Sequence, residues 1–295
     1  MTGRLPKVRV MLALVRADQY FKNLLVFAPL FFAGEIARPA LFDGTLTAFA
    51  GFCAVASAVY IINDCLDMPH DINHPVKRNR PIAAGQVSKS MALAVMALMA
   101  VSGFILTGLT GKTALLFLAC YFIVNVAYSC GLKNLPVADV LMVALGFVLR
   151  LFTGSAASGI RLSFWIVVMT FLLALFIAVS KRRDDIITFL QTGNKPRKAI
   201  EAYSLEVIDA GMVVLSVSIM AAYAAYTVCP GASARTASPN LYLTGFFVAA
   251  GIMRYMQLIY LVKKRGSPAS LLMRDPFMQA TLAGWMLTFS LILYW

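Results

Sequence analysis

Long apolar runs separated by short polar segments recur along the whole chain. Most of these runs contain roughly 17–23 residues, the length that an α-helix needs to cross about 30 Å of hydrocarbon. The first run is the shortest and contains Pro29. The pattern predicts nine membrane-spanning helices, at about 20–34, 45–63, 90–108, 113–130, 136–156, 163–181, 205–228, 240–262 and 276–294.

The composition also indicates an integral membrane protein. Of the 295 residues, 60% are hydrophobic and only 13% are charged, and the mean hydropathy is +0.79. A soluble domain is nearer to about 45–50% apolar and about 25% charged. A protein that only lies on the membrane surface would need one amphipathic segment rather than many apolar ones. We therefore expect an all-α fold, with residues 1–295 forming a single polytopic membrane domain.

The basic residues are distributed unevenly between the two sets of loops. Of the 26 Lys and Arg residues, 20 lie in or beside the N-terminus and the segments 64–89, 131–135, 182–204 and 263–275, and only four lie in the opposite loops. Cytoplasmic loops of membrane proteins carry such an excess. This predicts a multi-pass protein of the plasma (inner) membrane with a cytoplasmic N-terminus and an outside C-terminus.

Two further expectations follow from the positions of the charges. Residues 1–19 are basic and moderately amphipathic, which predicts an N-terminal segment at the membrane interface. The formal net charge is +13, a value that could suggest a nucleic-acid partner. Because the basic residues lie in short loops between apolar spans, we expect no nucleic-acid binding.

An acidic motif, NDCLDMPHD, follows the second apolar run and precedes the basic segment HPVKRNRPIAAG. Asp64, Asp67 and Asp71 are spaced by three and four residues, so a helix would turn all three onto one face. Three like charges at the end of an apolar helix require a counter-ion. Mg²⁺ is the natural candidate, because it prefers carboxylate oxygens and often completes its shell with substrate phosphates. The remaining phosphate charge could be held by the basic side chains Lys77, Arg78 and Arg80.

Several of these residues also have a purely structural interpretation. Pro69 lacks an amide hydrogen and could bend or end the helix before Asp71. Asn63 could cap or cross-link the backbone as well as bind a ligand. The three aspartates could form a solvated helix end, and the basic residues could be ordinary positive-inside charges.

The stretch SAVYIINDCLDMPHDINHPVKRNRPIAAG resembles the first aspartate-rich motif of the UbiA superfamily of intramembrane prenyltransferases. The matching positions are Asn63, Asp64, Asp67 and Asp71. Four segments resemble one branch of it, the decaprenyl-phosphate phosphoribosyltransferases: KNLLVFAPL near the start, HPVKRNRPIAAG after the motif, YSCGLKNLPVADV at 128–140, and the later KRR. The likeness covers most of the chain.

The resemblance implies a UbiA-like bundle around a central cavity, with cytoplasmic active-site loops at 64–89 and 182–204. It implies Mg²⁺-dependent transfer of 5-phosphoribosyl from phosphoribosyl diphosphate to a polyprenyl phosphate in the bilayer, which releases diphosphate and serves cell-envelope biosynthesis. The catalytic metal ligands would be Asp64, Asp67 and Asp71. The substrate-binding residues would be Asn63, Lys22, Lys77, Arg78, Arg80, Tyr128, Lys133, Asp139, Lys181, Arg182 and Arg183.

One departure from the superfamily bears on the choice of substrate. Its aromatic prenyltransferases carry a second motif, DxxxD, after the sixth helix, whereas this chain has KRRDD at 181–185. Two adjacent aspartates point about 100° apart on a helix and cannot reproduce a DxxxD face. Three adjacent cations suit a lipid monophosphate, which favours the phosphoribosyl branch. Whether this cluster or the one at 77–80 receives the lipid phosphate stays open.

Two other functions share some of these sequence features. A UbiA-type prenyltransferase would keep the fold and Mg²⁺ but move a prenyl group from prenyl diphosphate to an aromatic or other lipid-quinone precursor. A cation transporter usually places its acidic residues near the bilayer midplane, whereas the acidic motif lies at the cytoplasmic edge beside cations.

Two charged residues lie in or near the fifth predicted span. Arg150 is costly there unless it faces the bundle interior, where it could be structural. Asp139 lies about three turns away, too far along the axis for direct pairing, and could instead reach the cytoplasmic cavity.

Overall fold

The protein consists of α-helices and short 3₁₀ segments, and the part of the chain that the structure describes contains no β-strand. This computed structural model describes residues 7–73, 76–192, 198–228, 240–261, 271 and 274–294. The α-helices are α1 (Lys7–Leu14), α2 (Ala28–Phe32), α3 (Pro39–Asp71), α4 (Lys89–Thr110), α5 (Lys112–Cys130), α6 (Ala138–Ser158), α7 (Phe164–Thr192), α8 (Leu205–Val228), α9 (Gly245–Tyr260) and α10 (Pro276–Tyr294). The 3₁₀ segments are Ala17–Phe27, Lys77–Asn79, Leu132–Asn134, Lys198–Ala202 and Leu241–Thr244.

Eight of the described helical segments are long and apolar enough to cross a membrane. They are α3 to α8, the segment Leu241–Tyr260 that contains α9, and α10. The all-α, multi-pass architecture expected from the sequence is therefore confirmed. The first predicted span, 20–34, differs from a regular helix, because it begins as the 3₁₀ segment Ala17–Phe27 and only then becomes α2.

Two predicted boundaries were wrong, and both concern the expected active-site loops. The segment 64–89 begins as helix, because α3 continues through the acidic motif to Asp71. The segment 182–204 also begins as helix, because α7 continues to Thr192. Hydropathy marks where apolar side chains end, whereas backbone hydrogen bonding continues a helix into polar residues.

The chain divides into two compact units. The first comprises residues 1–31, 35–132 and 149–161, and the second comprises the rest. In the first unit, α3 and α4 approach closely: a Cβ added to Gly51 would lie 2.3 Å from the hydroxyl oxygen of Thr107, and one added to Gly103 would lie 2.6 Å from the Gly51 carbonyl oxygen. Small residues permit such close helix packing in membranes.

The core of the second unit is built from α7, α8 and α9. Its buried side chains come from each of these helices, with Leu271 in addition. They are Phe176, Met212, Ile219, Tyr255, Ile259 and Leu271. The unit therefore fixes the C-terminal part of α7, which carries the charged sequence at 181–185.

Candidate active site

The acidic motif lies on the last two turns of α3. Pro69 is inside this helix, and the amide of Ile72 still donates to the carbonyl of Met68 at 3.2 Å. The expectation that Pro69 could end the helix before Asp71 is therefore not met. Asp64 and Asp71 are buried and Asp67 is half-buried, so the helix brings two of the three carboxylates into the interior of the first unit.

Two arginines neutralise the buried carboxylates. Arg16 donates to Asp64 (Nη2–Oδ1, 2.5 Å), and Arg80 contacts both Asp64 (Nη1–Oδ1, 3.1 Å) and Asp71 (Nη1–Oδ2, 2.5 Å). A buried carboxylate without a partner would be strongly destabilising. One Arg80 nitrogen thus lies close to an oxygen of each carboxylate, which shows that Asp64 and Asp71 converge on a single cationic point.

Arg16 occupies a turn between the N-terminal helix and the segment that follows. Its φ of +52° is in the left-handed region, where the chain leaves α1 and enters Ala17–Phe27. Its guanidinium lies over the ring of Tyr60, 4.9 Å from the centroid. The sequence reading missed this residue, because nothing in the local pattern distinguishes Arg16 from the other basic residues near the N-terminus.

The third carboxylate of the motif, Asp67, has a hydrogen-bond partner on its own helix. Asn63 donates to Asp67 (Nδ2–Oδ2, 3.0 Å) on the same helix. Among the described residues, no group of three or more His, Cys, Asp or Glu side chains is arranged to hold a metal ion. Mg²⁺ is usually bound by only one or two carboxylates together with substrate phosphates and water. The convergence of Asp64 and Asp71 fits this kind of site, and Asp67 stays a predicted third ligand.

The other predicted binding residues of the first unit lie in two 3₁₀ segments, Ala17–Phe27 and Lys77–Asn79, and in the last turn of α5. Lys77 is half-buried and Arg78 is exposed in the 3₁₀ turn that precedes Arg80. Lys22 is half-buried in the 3₁₀ segment Ala17–Phe27. Tyr128 is half-buried in the last turn of α5.

Arg150 is held in the interior of the first unit. It donates to Asn23 (Nε–Oδ1, 2.8 Å) and to the hydroxyl of Tyr121 (Nη2–O, 3.1 Å). Its guanidinium lies 5.1 Å from the ring centroid of Phe52 and 4.8 Å from that of Tyr121. The rings and the amide stabilise the buried cation, which agrees with the structural role expected for Arg150.

The basic cluster of the second unit is mostly paired with carboxylates. Arg182 is buried and contacts Asp139 (Nε–Oδ2, 2.7 Å) and Asp185. Arg183 is also buried and contacts Asp209 (Nε–Oδ1, 2.7 Å). Arg182 is thus paired internally with Asp139 and Asp185, and its contact with a phosphate stays a prediction. Lys181 is exposed.

Asp139 connects this cluster to the chain before α8. It is fully buried, and its second oxygen accepts a hydrogen bond from the hydroxyl of Tyr203 at 2.7 Å. Burial and this hydrogen bond to Asp139 raise the pKa of Tyr203 to about 12, so the hydroxyl stays protonated and donates at neutral pH. Lys133 is half-buried in the 3₁₀ turn Leu132–Asn134. Tyr203 was not singled out from the sequence, since a tyrosine after a polar segment has no local signature.

The chain is similar in sequence to a known protein family and to several of its named members. The model of the UbiA prenyltransferase family matches residues 24–281. The chain is 30% identical over 289 residues to the decaprenyl-phosphate phosphoribosyltransferase of Corynebacterium glutamicum, covering 96% of this chain and 86% of that protein. It is 38% identical over 194 residues to the protein of the same name from Mycolicibacterium smegmatis, covering 64% of this chain and 61% of that protein.

Solved structures show the same fold. A UbiA homolog from Archaeoglobus fulgidus bound to GPP and Mg²⁺ has a TM-score of 0.73 and 18% identity, with 96% of this chain and 99% of that one covered. A digeranylgeranylglyceryl phosphate synthase has a TM-score of 0.66 and 14% identity, with coverage of 98% and 99%. At such low identity the likeness bears on the fold and not on the substrate.

Proposed function

The chain belongs to the UbiA prenyltransferase family, and we propose that it transfers a 5-phosphoribosyl group from phosphoribosyl diphosphate to a polyprenyl phosphate such as decaprenyl phosphate. The protein is a membrane-embedded transferase. The observation that carries the proposal is the 30% identity, over 96% of the chain, to a decaprenyl-phosphate phosphoribosyltransferase. The buried, cation-paired carboxylates at the end of α3 support it, because a diphosphate leaving group needs both metal ligands and basic side chains.

Asp64 and Asp71, with Asp67 as the third candidate, would hold Mg²⁺, which neutralises charge on a diphosphate when bound. Arg80 already contacts the two buried carboxylates and would transfer its hydrogen bonds to substrate phosphate. Arg16 would do the same from Asp64. These arginines keep the buried carboxylates neutralised and then supply positive charge to the donor.

The remaining predicted residues would bind the anionic parts of the substrates. Phosphate contacts are assigned to the exposed or half-buried groups, and the buried Arg182 and Asp139 are assigned to holding these groups in place. Arg183 is paired with Asp209 and serves the phosphates only if that pair opens. The phosphate-binding candidates are Lys22, Asn63, Lys77, Arg78, Tyr128, Lys133 and Lys181.

The proposed reaction requires little proton transfer. The bond between ribose C1 and the diphosphate oxygen breaks, and diphosphate leaves with the electron pair. An oxygen of the polyprenyl phosphate then forms the new bond to C1. That oxygen is already anionic, so no strong general base is needed, and catalysis rests on positioning and electrostatics.

We also propose that the end of α3 faces the cytoplasm of a plasma (inner) membrane, with the C-terminus outside. The excess of basic residues on one set of loops supports this orientation. Cys130 is exposed at the end of α5 and Arg161 is exposed between α6 and α7. In single-cysteine chains, an impermeant thiol reagent added outside should label Arg161→Cys and not Cys130, and the reverse pattern would invert the orientation.

A prenyl diphosphate is the second candidate donor, because the structures of similar fold from A. fulgidus are bound to GPP and to DMAPP with Mg²⁺. In that case the chain would move a prenyl group from prenyl diphosphate to an aromatic or other lipid-quinone precursor. The donor and the acceptor, rather than the fold, separate the two functions.

Thermal unfolding in detergent distinguishes the donors. Phosphoribosyl diphosphate with Mg²⁺ should stabilise the wild-type chain by about 2.7 kcal/mol at a hundred times its dissociation constant. Asp64→Asn should abolish this stabilisation, whereas Asp43→Asn, an exposed aspartate near the other end of α3, should preserve it. Stabilisation by geranyl diphosphate with Mg²⁺ but not by phosphoribosyl diphosphate would favour the prenyl donor.

A further inference from the structure

The loop between α5 and α6, residues 131–137 and here called the Lys133 loop, ends in a backbone conformation that its residue disfavours. Val137 has a φ of +66°, in the left-handed region. For an L-residue this conformation is sterically disfavoured, and a β-branched side chain makes it an outlier. The side chain of Val137 is 57% exposed, so apolar burial offsets little of this cost.

A single hydroxyl group holds both the backbone at Val137 and the first turn of α6. The amide of Val137 donates to the hydroxyl oxygen of Tyr203 at 2.6 Å. The same hydroxyl donates to Asp139 (Oδ1) at 2.7 Å. A tyrosine hydroxyl offers one donor as well as acceptor capacity, and here both functions are used on positions two residues apart.

Tyr203 is itself fixed on the opposite side. Its ring packs partly against a small buried cluster formed by Ile186 of α7, Ile200 and Ile208. Asp139 is fully buried, and its other oxygen contacts Arg182. The strained end of the Lys133 loop is therefore tied, through one side chain, to α7 and to the segment that leads into α8.

We propose that Tyr203 is a positioning residue that holds the Lys133 loop in its strained conformation and thereby sets the affinity for the phosphate-bearing substrate. Lys133 lies four residues before Val137, within the same short loop, so a change in the backbone at Val137 displaces its amine. The inference rests on the proposed function, in which Lys133 is a phosphate-binding candidate. Tyr203 acts through the loop and does not touch the reacting atoms.

The test combines loss of the hydroxyl with relief of the strain. Tyr203→Phe removes both hydrogen bonds but keeps the ring, and should raise the KM for phosphoribosyl diphosphate roughly three- to tenfold while kcat changes less than about twofold. Val137→Gly in the same chain should restore KM to within about twofold of wild type, because glycine adopts a φ of +66° without steric cost. Tyr242→Phe, at an exposed tyrosine, is the matched control.

Hydrogen exchange supplies a measurement that does not depend on activity. The amide of Val137 should exchange faster in Tyr203→Phe than in wild type, with no substrate present. The proposal would be overturned if Tyr203→Phe left KM unchanged or lowered only kcat. It would also be overturned if Val137→Gly did not restore the raised KM. If the single variant does not fold, the double variant should, because it lacks the strained residue; failure of both also overturns it.

The two proposals fail in different ways. If the wild-type chain transfers no phosphoribosyl group to any polyprenyl phosphate, the proposed function is wrong. The substrate whose affinity Tyr203 is proposed to set is then wrong as well. Unchanged exchange at Val137 in Tyr203→Phe overturns the positioning role alone, whatever the reaction.

Discussion

At the scale of single residues, the end of α3 is defined by a balance of two carboxylates and two guanidinium groups. Asp64 and Asp71 are buried, and each has an arginine partner. Removing one partner from a buried ion pair is more destabilising than the pair itself is stabilising. The same arginines contact the carboxylate oxygens that the proposed Mg²⁺ ion would need, so the ion would have to compete with them.

This competition predicts the effect of Arg16→Gln. The variant should bind Mn²⁺, used as a probe for Mg²⁺, roughly three- to tenfold more tightly than wild type, because one charged hydrogen bond to Asp64 no longer has to be broken. Its unfolding temperature without metal should be lower, since Asp64 would lose one of the two arginine contacts that the described residues provide. Isothermal titration and thermal unfolding measure the two effects.

Arg9→Gln is the matched control for this measurement, because Arg9 is exposed on α1. It should change neither the Mn²⁺ affinity nor the unfolding temperature. Weaker or unchanged Mn²⁺ binding in Arg16→Gln would show that Arg16 and the ion do not compete for Asp64.

At the scale of helices, close approach of backbones decides which substitutions the protein tolerates. A Cβ added to Gly154 in α6 would lie 1.9 Å from the carbonyl oxygen of Val26 in the 3₁₀ segment Ala17–Phe27. No real side chain tolerates that distance, so one of the two segments would have to move. That segment also carries Lys22 and Asn23, the latter being a hydrogen-bond partner of Arg150.

Gly154→Ala should therefore lower the unfolding temperature strongly and reduce transfer activity. Gly211→Ala in α8 is the matched control, because an added Cβ there meets no atom within 4 Å. It should be neutral or stabilising by up to about 1 kcal/mol, since alanine has the higher helix propensity. Equal effects of the two substitutions would contradict the packing described for Gly154.

The helices also show what the sequence could predict. The predicted spans 113–130, 205–228 and 276–294 agree closely with α5, α8 and α10, because a run of apolar residues long enough to cross a bilayer leaves few alternatives. The predicted spans ended at 63 and 181, short of the polar ends of α3 and α7, since hydropathy carries no information on where backbone hydrogen bonding stops.

The candidate site was predictable only in part for a related reason. The spacing of Asp64, Asp67 and Asp71 on one helix is a local property, and the sequence gives it directly. The partners of these residues are distant: Arg16 precedes Asp64 by 48 residues, and Tyr203 follows Asp139 by 64. Long-range pairing depends on how the helices pack, which no local pattern encodes.

At the scale of the whole molecule, the protein presents polar chemistry at the ends of apolar helices. The acidic end of α3 lies in the first unit, and the Asp139–Arg182–Tyr203 network lies in the second. Eight segments of the described chain are suited to cross the bilayer. This arrangement suits a transferase whose lipid acceptor stays in the membrane while its charged donor comes from water.

The most direct test of the central claim is a transfer assay with purified protein in detergent and Mg²⁺. One reaction contains labelled phosphoribosyl diphosphate and decaprenyl phosphate, and a parallel one contains labelled geranyl diphosphate and 4-hydroxybenzoate. We predict a labelled lipid in the first reaction only, lost with EDTA or Asp64→Asn and retained in Asp43→Asn. A prenylated aromatic product in the second reaction alone would contradict the account and assign the protein to the prenyl-donor branch of its family.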